Sequence, residues 1–139
     1  MVTTRQSKRI EKFEDLLAWQ EARNLTKLAY RAARHNALQK DFSLRDQLQR
    51  AAVSVMSNIA EGFERANKQE KLQFLNIARA SCGEVRSLLY VCADAGLLDN
   101  QTISQLQSSC ASTGRLISGL MHSLRQTNSH LPTPNSHSP

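Results

Sequence analysis

Residues Asp46–Arg65, DQLQRAAVSVMSNIAEGFER, hold the pattern from which the architecture of this chain follows. At about 100° per residue, Leu44, Leu48, Ala51, Ala52, Val55, Ile59 and Phe63 fall in a band roughly 120° wide, the apolar face of a core-facing helix. Gln47, Arg50, Ser54, Ser57, Asn58, Glu61 and Arg65 collect on and beside the other face. The many Ala and Ser positions let a neighbouring helix approach closely, and Asn58 and Glu61 require hydrogen-bond partners wherever they are buried. Such a helix is expected to be touched on more than one side.

Three more amphipathic segments surround it. The first helix is expected from Phe13–Asp15 to about Asn36, with acids at the positive end of its dipole and a core stripe of Ala18, Ala22, Leu25, Leu28, Ala29 and Ala32. The stretch from Ala37 to Phe42 reads as a loop ending at Ser43, an N-cap with Asp46 three residues on. The second helix should close near Gly62–Arg65, and Asn67 followed by Glu70 repeats the cap signal. The third helix then runs to about Ala95 on a stripe of Leu75, Ala78, Cys82, Val85, Leu89 and Cys92, with Gly96 as its stop. In the fourth, Ile103, Leu106, Cys110, Thr113, Ile117, Leu120 and Leu124 form a heptad seam. Four helices of about 22 to 28 residues joined by short loops predict an all-α, antiparallel up-down-up-down four-helix bundle over residues 13–125. Residues 1–12 read as a flexible basic arm and residues 126–139, QTNSHLPTPNSHSP, as a disordered tail.

The segment SVMSNIAEG (54–62), preceded by QLQRAA (47–52), resembles the signature of bacterial four-helix-bundle proteins encoded within intervening sequences of large-subunit ribosomal RNA genes. FEDLLAWQEARNL (13–25) and FLNIARASCGEV (74–85) resemble the other two characteristic segments of that family, in the same order. Met56 stands where many relatives carry proline, and Cys82-Gly83 where a Ser-Leu or Ser-Ala pair is common. The resemblance implies an antiparallel four-helix bundle, often assembled into a ring of five, with no settled biochemical activity. It also implies kinship with an accessory protein of diversity-generating retroelements, which partners a reverse transcriptase and binds nucleic acid.

The chain of 139 residues is 40% apolar but only 5% aromatic, so its single core must be built from Leu, Ile, Val and Ala. The formal charge of +6 is unevenly placed. Residues 1–40 hold nine Lys/Arg against four acids, net +5, and residues 41–139 hold nine against eight, net +1. No apolar run approaches the ~20 residues needed to span a bilayer, and the N-terminus lacks an apolar signal-peptide core, which predicts a cytoplasmic protein with no membrane contact. Cys82, Cys92 and Cys110 have spacings unlike a zinc site and sit at apolar helical positions, the pattern of buried reduced thiols.

Catalytic constellations are missing from the sequence. A di-iron bundle needs Glu-x-x-His on two helices, and His35, His122, His130 and His137 supply none. The glycines are isolated, so no phosphate-cradling loop is present, and neither metal nor cofactor is expected. Arg50, Asn58, Glu61 and Glu84 form the candidate polar network, read first as a device that fixes helix register or assembly. The enzyme reading would make Asn58 and Glu61 an acid/base pair. The candidate nucleic-acid face is Arg23, Lys27, Arg31 and Arg34, with no acid between Glu21 and Asp41. Phosphate-backbone binding and an ordinary solvated face both account for that stripe. Leu16, Trp19, Tyr30, Ile77 and Val91 are the candidates for a subunit interface or, for the aromatics, base stacking. Three functions follow in order of preference: a non-catalytic homo-oligomer, a pentamer by resemblance, that binds RNA or DNA; a scaffold that recruits a protein partner; and an uncharacterised enzyme.

Overall fold

The computed structural model describes residues 9–130. Among them are five α-helices and no strand: α1 (Leu17–Ala32), α2 (Asn36–Lys40), α3 (Phe42–Glu64), α4 (Lys68–Asp94) and α5 (Asn100–His130), with a 3-10 turn at Phe13–Asp15 before α1. The four longer helices form a helical bundle in which α1 packs on α3 and α5, and α4 packs on the same two. Alanines at 18, 22, 29 and 32 keep the α1 face thin, so its neighbours approach closely around Leu25. Leu48, Val55 and Ile59 of α3, Val85 and Leu89 of α4, and Leu106, Ile117 and Met121 of α5 complete the core. The expected stripes on α3 and α4 are buried at every position but Phe63, which is half-buried.

Four boundaries differ from the sequence expectation, each for a local reason. Helix 1 does not start at Phe13: the backbone is extended at Leu16 (φ −75°, ψ 129°), which turns that side chain into the bundle, where it is buried. Helix 1 also ends at Ala32, and the expected loop contains α2, whose Leu38 is fully buried. The cap of α3 is Asp41 and not Ser43, because the Asp41 side chain accepts the Leu44 N–H at 3.1 Å, the third amide of the helix. Finally, α5 continues to His130, through the first residues of the expected tail; Gln126–His130 contains no helix breaker, the first proline being Pro132.

Other ends follow the expectation. Asn67 accepts the Glu70 N–H at 2.8 Å. Gly96 adopts φ 69°, and Leu97 N–H to Cys92 O (2.9 Å) with Gly96 N–H to Ala93 O (3.1 Å) closes α4 in a Schellman turn that favours glycine. Asp99 accepts the Thr102 N–H at 2.7 Å and opens α5. This bond, first among the causes, holds the Asp99 carboxyl below its ordinary range. Residues 1–8 of the expected arm and 131–139 of the expected tail lie outside the described residues. Ile10, within the arm, lines an apolar cavity of ≈450 Å³ at the bundle end with Leu16, Ile59, Phe63 and Leu120.

Candidate nucleic-acid interface

Because Ala18, Ala22, Leu25, Ala29 and Ala32 turn inward, the three- and four-residue steps of α1 send Arg23, Lys27 and Arg31 outward, and all three are exposed. Arg34 lies in the turn after α1 and is exposed too. Among the described residues none of the four enters an ion pair; the two pairs present are Arg45–Asp46 and Arg65–Glu61. Glu21, two residues before Arg23, is held elsewhere: its carboxylate accepts the Ser109 hydroxyl of α5 at 2.8 Å and the Asn24 amide at 3.4 Å. The ridge therefore keeps its positive charge uncompensated.

The aromatic candidates divide. Trp19 is half-buried against the core, its ring tilted on Phe13 at 5.1 Å, and the Arg23 guanidinium sits over it at 5.7 Å. Tyr30 is exposed between Lys27 and Arg31 in sequence and is the aromatic side chain free to meet a ligand on the ridge. Of the interface candidates, Leu16 drops out as a free surface because the core absorbs it, whereas Ile77 and Val91 of α4 are 44% and 47% exposed, joined by Tyr90.

The four-residue polar network does not form as expected. Asn58 donates to Ser54 O (2.8 Å) and Ser54 Oγ (3.1 Å), and Ser54 Oγ meets Ser81 Oγ of α4 at 2.8 Å. Glu61 is exposed and accepts from Arg65 at 3.2 Å, one turn along its own helix. Arg50 and Glu84 line one open groove between α3 and α4, both exposed, without an ion pair between them. The bonded set at this level of the seam is thus Ser54, Asn58 and Ser81, and further along it Lys71 of α4 donates to Phe63 O of α3 at 2.8 Å. Ser54, four residues before Asn58, was legible from spacing; Ser81 was hidden beside the apolar stripe. The sequence also left unread Glu21–Asn24–Ser109 between α1 and α5, and the Thr26 hydroxyl, which donates to Ala52 O across the α1–α3 seam at 3.2 Å.

All three cysteines are buried thiols. Cys110 donates to Cys82 O at 3.2 Å. The contact with Cys110, reinforced by burial, raises the Cys82 thiol above its ordinary range. Burial, with the Asp41 charge second, pushes Cys92 up to about 11. Among the described residues no three His, Cys, Asp or Glu side chains cluster in a way that would hold a metal ion. No helix among them is long and apolar enough to cross a membrane.

A helix-only bundle carrying an exposed basic ridge places the molecule in the class of all-α bundle proteins. The chain belongs to the 23S rRNA-intervening sequence protein family, whose model matches residues 14–119. Among solved structures it is similar to a protein of unknown function from the S23 ribosomal protein family of Bacteroides thetaiotaomicron, at 15% identity and a TM-score of 0.70 over 76% of this chain and 98% of that one. That likeness establishes a shared fold. No curated protein matched the chain.

Proposed function

We propose that the protein is a non-catalytic, cytoplasmic homo-oligomer of antiparallel four-helix bundles that binds RNA or DNA backbone through the α1 ridge. The antiparallel up-down-up-down arrangement is supported by cross-helix pairs. Ser54 meets Ser81 while Phe63 O meets Lys71, so α3 and α4 run in opposite directions. Cys82 meets Cys110 while Arg79 meets Ser118, so α4 and α5 do the same. Assembly, a pentamer on the family resemblance, is supported by Ile77 and Val91, fourteen residues apart and so on one face of α4, which the single bundle leaves exposed. The family's name ties its members to ribosomal RNA genes, in keeping with a nucleic-acid partner.

The observation that carries the binding reading is the ridge of Arg23, Lys27, Arg31 and Arg34, exposed and without carboxylate partners among the described residues. Phosphates supply the missing anions, and release of their counterions favours binding without regard to sequence. A ring would repeat the ridge and add avidity to weak contacts. Arg23→Gln/Lys27→Gln/Arg31→Gln is expected to weaken binding to RNA and DNA of any sequence, with a salt slope in duplex DNA shallower by about 0.9 for each phosphate no longer neutralised. Equal binding by the variant in fluorescence anisotropy would sink the reading. The second reading, a scaffold that recruits a protein such as a reverse transcriptase, draws on exposed Tyr90 beside Val91, an aromatic of the kind that anchors interfaces.

A further inference from the structure

A second concentration of cations lies on another pair of helices. Arg79 and Arg86 of α4 and Arg115 of α5 line a groove of ≈730 Å³ whose remaining walls are Cys82, Gly83, Cys110, Ala111, Gly114 and Ser118. Among the described residues no carboxylate lines it. The one acid in the middle of α4, Glu84, lines the α3–α4 groove instead, and α5 contains no Asp or Glu from Asn100 to His130. Two of the three arginines are steadied by neutral partners: Arg79 donates to Asn76 Oδ1 at 3.1 Å and Ser118 Oγ at 3.5 Å, and Arg115 to Ser112 Oγ at 3.3 Å. Those two forks are oriented, and among the described residues none of the three arginines enters an ion pair. Arg79 and Arg86 are separated by two helical turns, about 10 Å along the axis, and Arg115 joins them from the facing helix.

The floor supplies an independent observation. Glycine inside a helix is costly in backbone entropy, and the helical glycines of this chain differ in what a side chain would meet. Gly62 has such a reason within the fold, since a Cβ there would meet Lys71 O and Phe74 Cβ at 3.2 Å. At Gly83 and Gly114 a Cβ would meet nothing within 4 Å. Gly119 is equally open outside the groove, but Gly83 and Gly114 line it, one from each helix, and add no side chain to its floor. A low floor between three guanidinium groups suits a compact, multiply charged anion that accepts forked hydrogen bonds, and phosphate has that geometry.

We propose that the α4–α5 groove of Arg79, Arg86 and Arg115 is a phosphate-binding site, separate from the α1 ridge, for phosphate groups carried by a nucleotide or by a nucleic-acid strand. It does not rest on the ridge: the two surfaces use different helices and no residue in common.

Amide chemical shifts of the full-length ¹⁵N-labelled protein provide the test, with pyrophosphate in one titration and a single-stranded oligonucleotide of about 12 nucleotides in the other. Residues 79–86 and 111–118 are expected to respond. Response to both ligands supports a site that needs only the phosphate group; response to the oligonucleotide alone supports a strand as its source. Arg79→Gln/Arg86→Gln/Arg115→Gln, all exposed positions, should keep its helical circular dichroism and weaken binding about tenfold or more, the equivalent of removing one charge-assisted hydrogen bond. Gly83→Leu/Gly114→Leu should weaken it by blocking the floor, while Gly119→Leu, an open glycine outside the groove, should not. The α1 variant Arg23→Gln/Lys27→Gln/Arg31→Gln should retain the groove response even if it loses ridge binding. Wild-type shifts absent from both segments, or shifts undiminished in the triple arginine variant, would overturn the proposal.

Discussion

Gly62 and Gly83 stand in neighbouring seams of one bundle and serve opposite ends. In the α3–α4 seam, Gly62 is closely faced by its neighbours, with Lys71 O and Phe74 Cβ 3.2 Å from where its Cβ would stand, and polar atoms further along the seam are satisfied by Ser54, Asn58 and Ser81. In the α4–α5 seam, Gly83 and Gly114 face open space bordered by arginines. One seam uses small residues to bring two helices together; the other uses them to leave room on the surface above a core that is already sealed by Cys82 and Cys110. Residue type alone does not tell the two apart. What stands opposite does.

Substitutions in and between the two seams should differ in size and in sign. Leu89→Ala sets the upper scale, since Leu89 lies fully buried on α4, the helix both seams share; it should cost about 2–5 kcal/mol in urea denaturation. Gly62→Leu should follow at about 1–3 kcal/mol, because the α3–α4 seam must open to admit the side chain. A stability equal to wild type would mean that the seam is not closed at Gly62.

Ser81→Ala removes the cross-seam hydroxyl and should cost about 0.5–1.5 kcal/mol by the same measurement, while Asn58 keeps its bonds to Ser54. Gly83→Ala should act in the other direction, stabilising by about 0.5–1 kcal/mol in thermal melts, because helix entropy improves and nothing is displaced. Opposite signs at Gly62 and Gly83 separate a closed seam from an open one, and a destabilising Gly83→Ala would erase that distinction.

The smallest effect concerns the start of α5. Asp99 has a folded-state pKa below its ordinary 3.8, chiefly because its carboxylate accepts the Thr102 N–H. Its contribution is therefore present above the unfolded value and lost as pH falls through the depressed one. In Asp99→Asn that acid-side dependence should be missing, so the difference in melting temperature from wild type should shrink on acidification. A difference constant with pH would show that the carboxylate charge does nothing at this cap.

Much of the fold could be read from the chain because it resides within single helices. Apolar residues three and four apart assign Leu75 to Cys92 one buried face, and the same steps oblige Arg23, Lys27 and Arg31 to face outward on α1. Caps are as local: Asn67 and Gly96 need only amides or carbonyls within a few residues. Other features arise between residues far apart in the chain, and these emerge only when the helices are packed. Leu16 leaves the helical backbone and α2 forms around Leu38 because remote core surface is there to receive them, an attraction that no window of neighbouring residues contains. Asn58 and Glu61 look alike from spacing, but Asn58 bonds Ser54, whose hydroxyl meets Ser81 across the seam, whereas Glu61 is exposed and pairs with Arg65 on its own helix. The arginine groove is the extreme case. Arg79 and Arg115 belong to different helices and read as scattered charges along the chain; the register of α4 against α5 brings them together, and that register is set by the side chains packed between the helices.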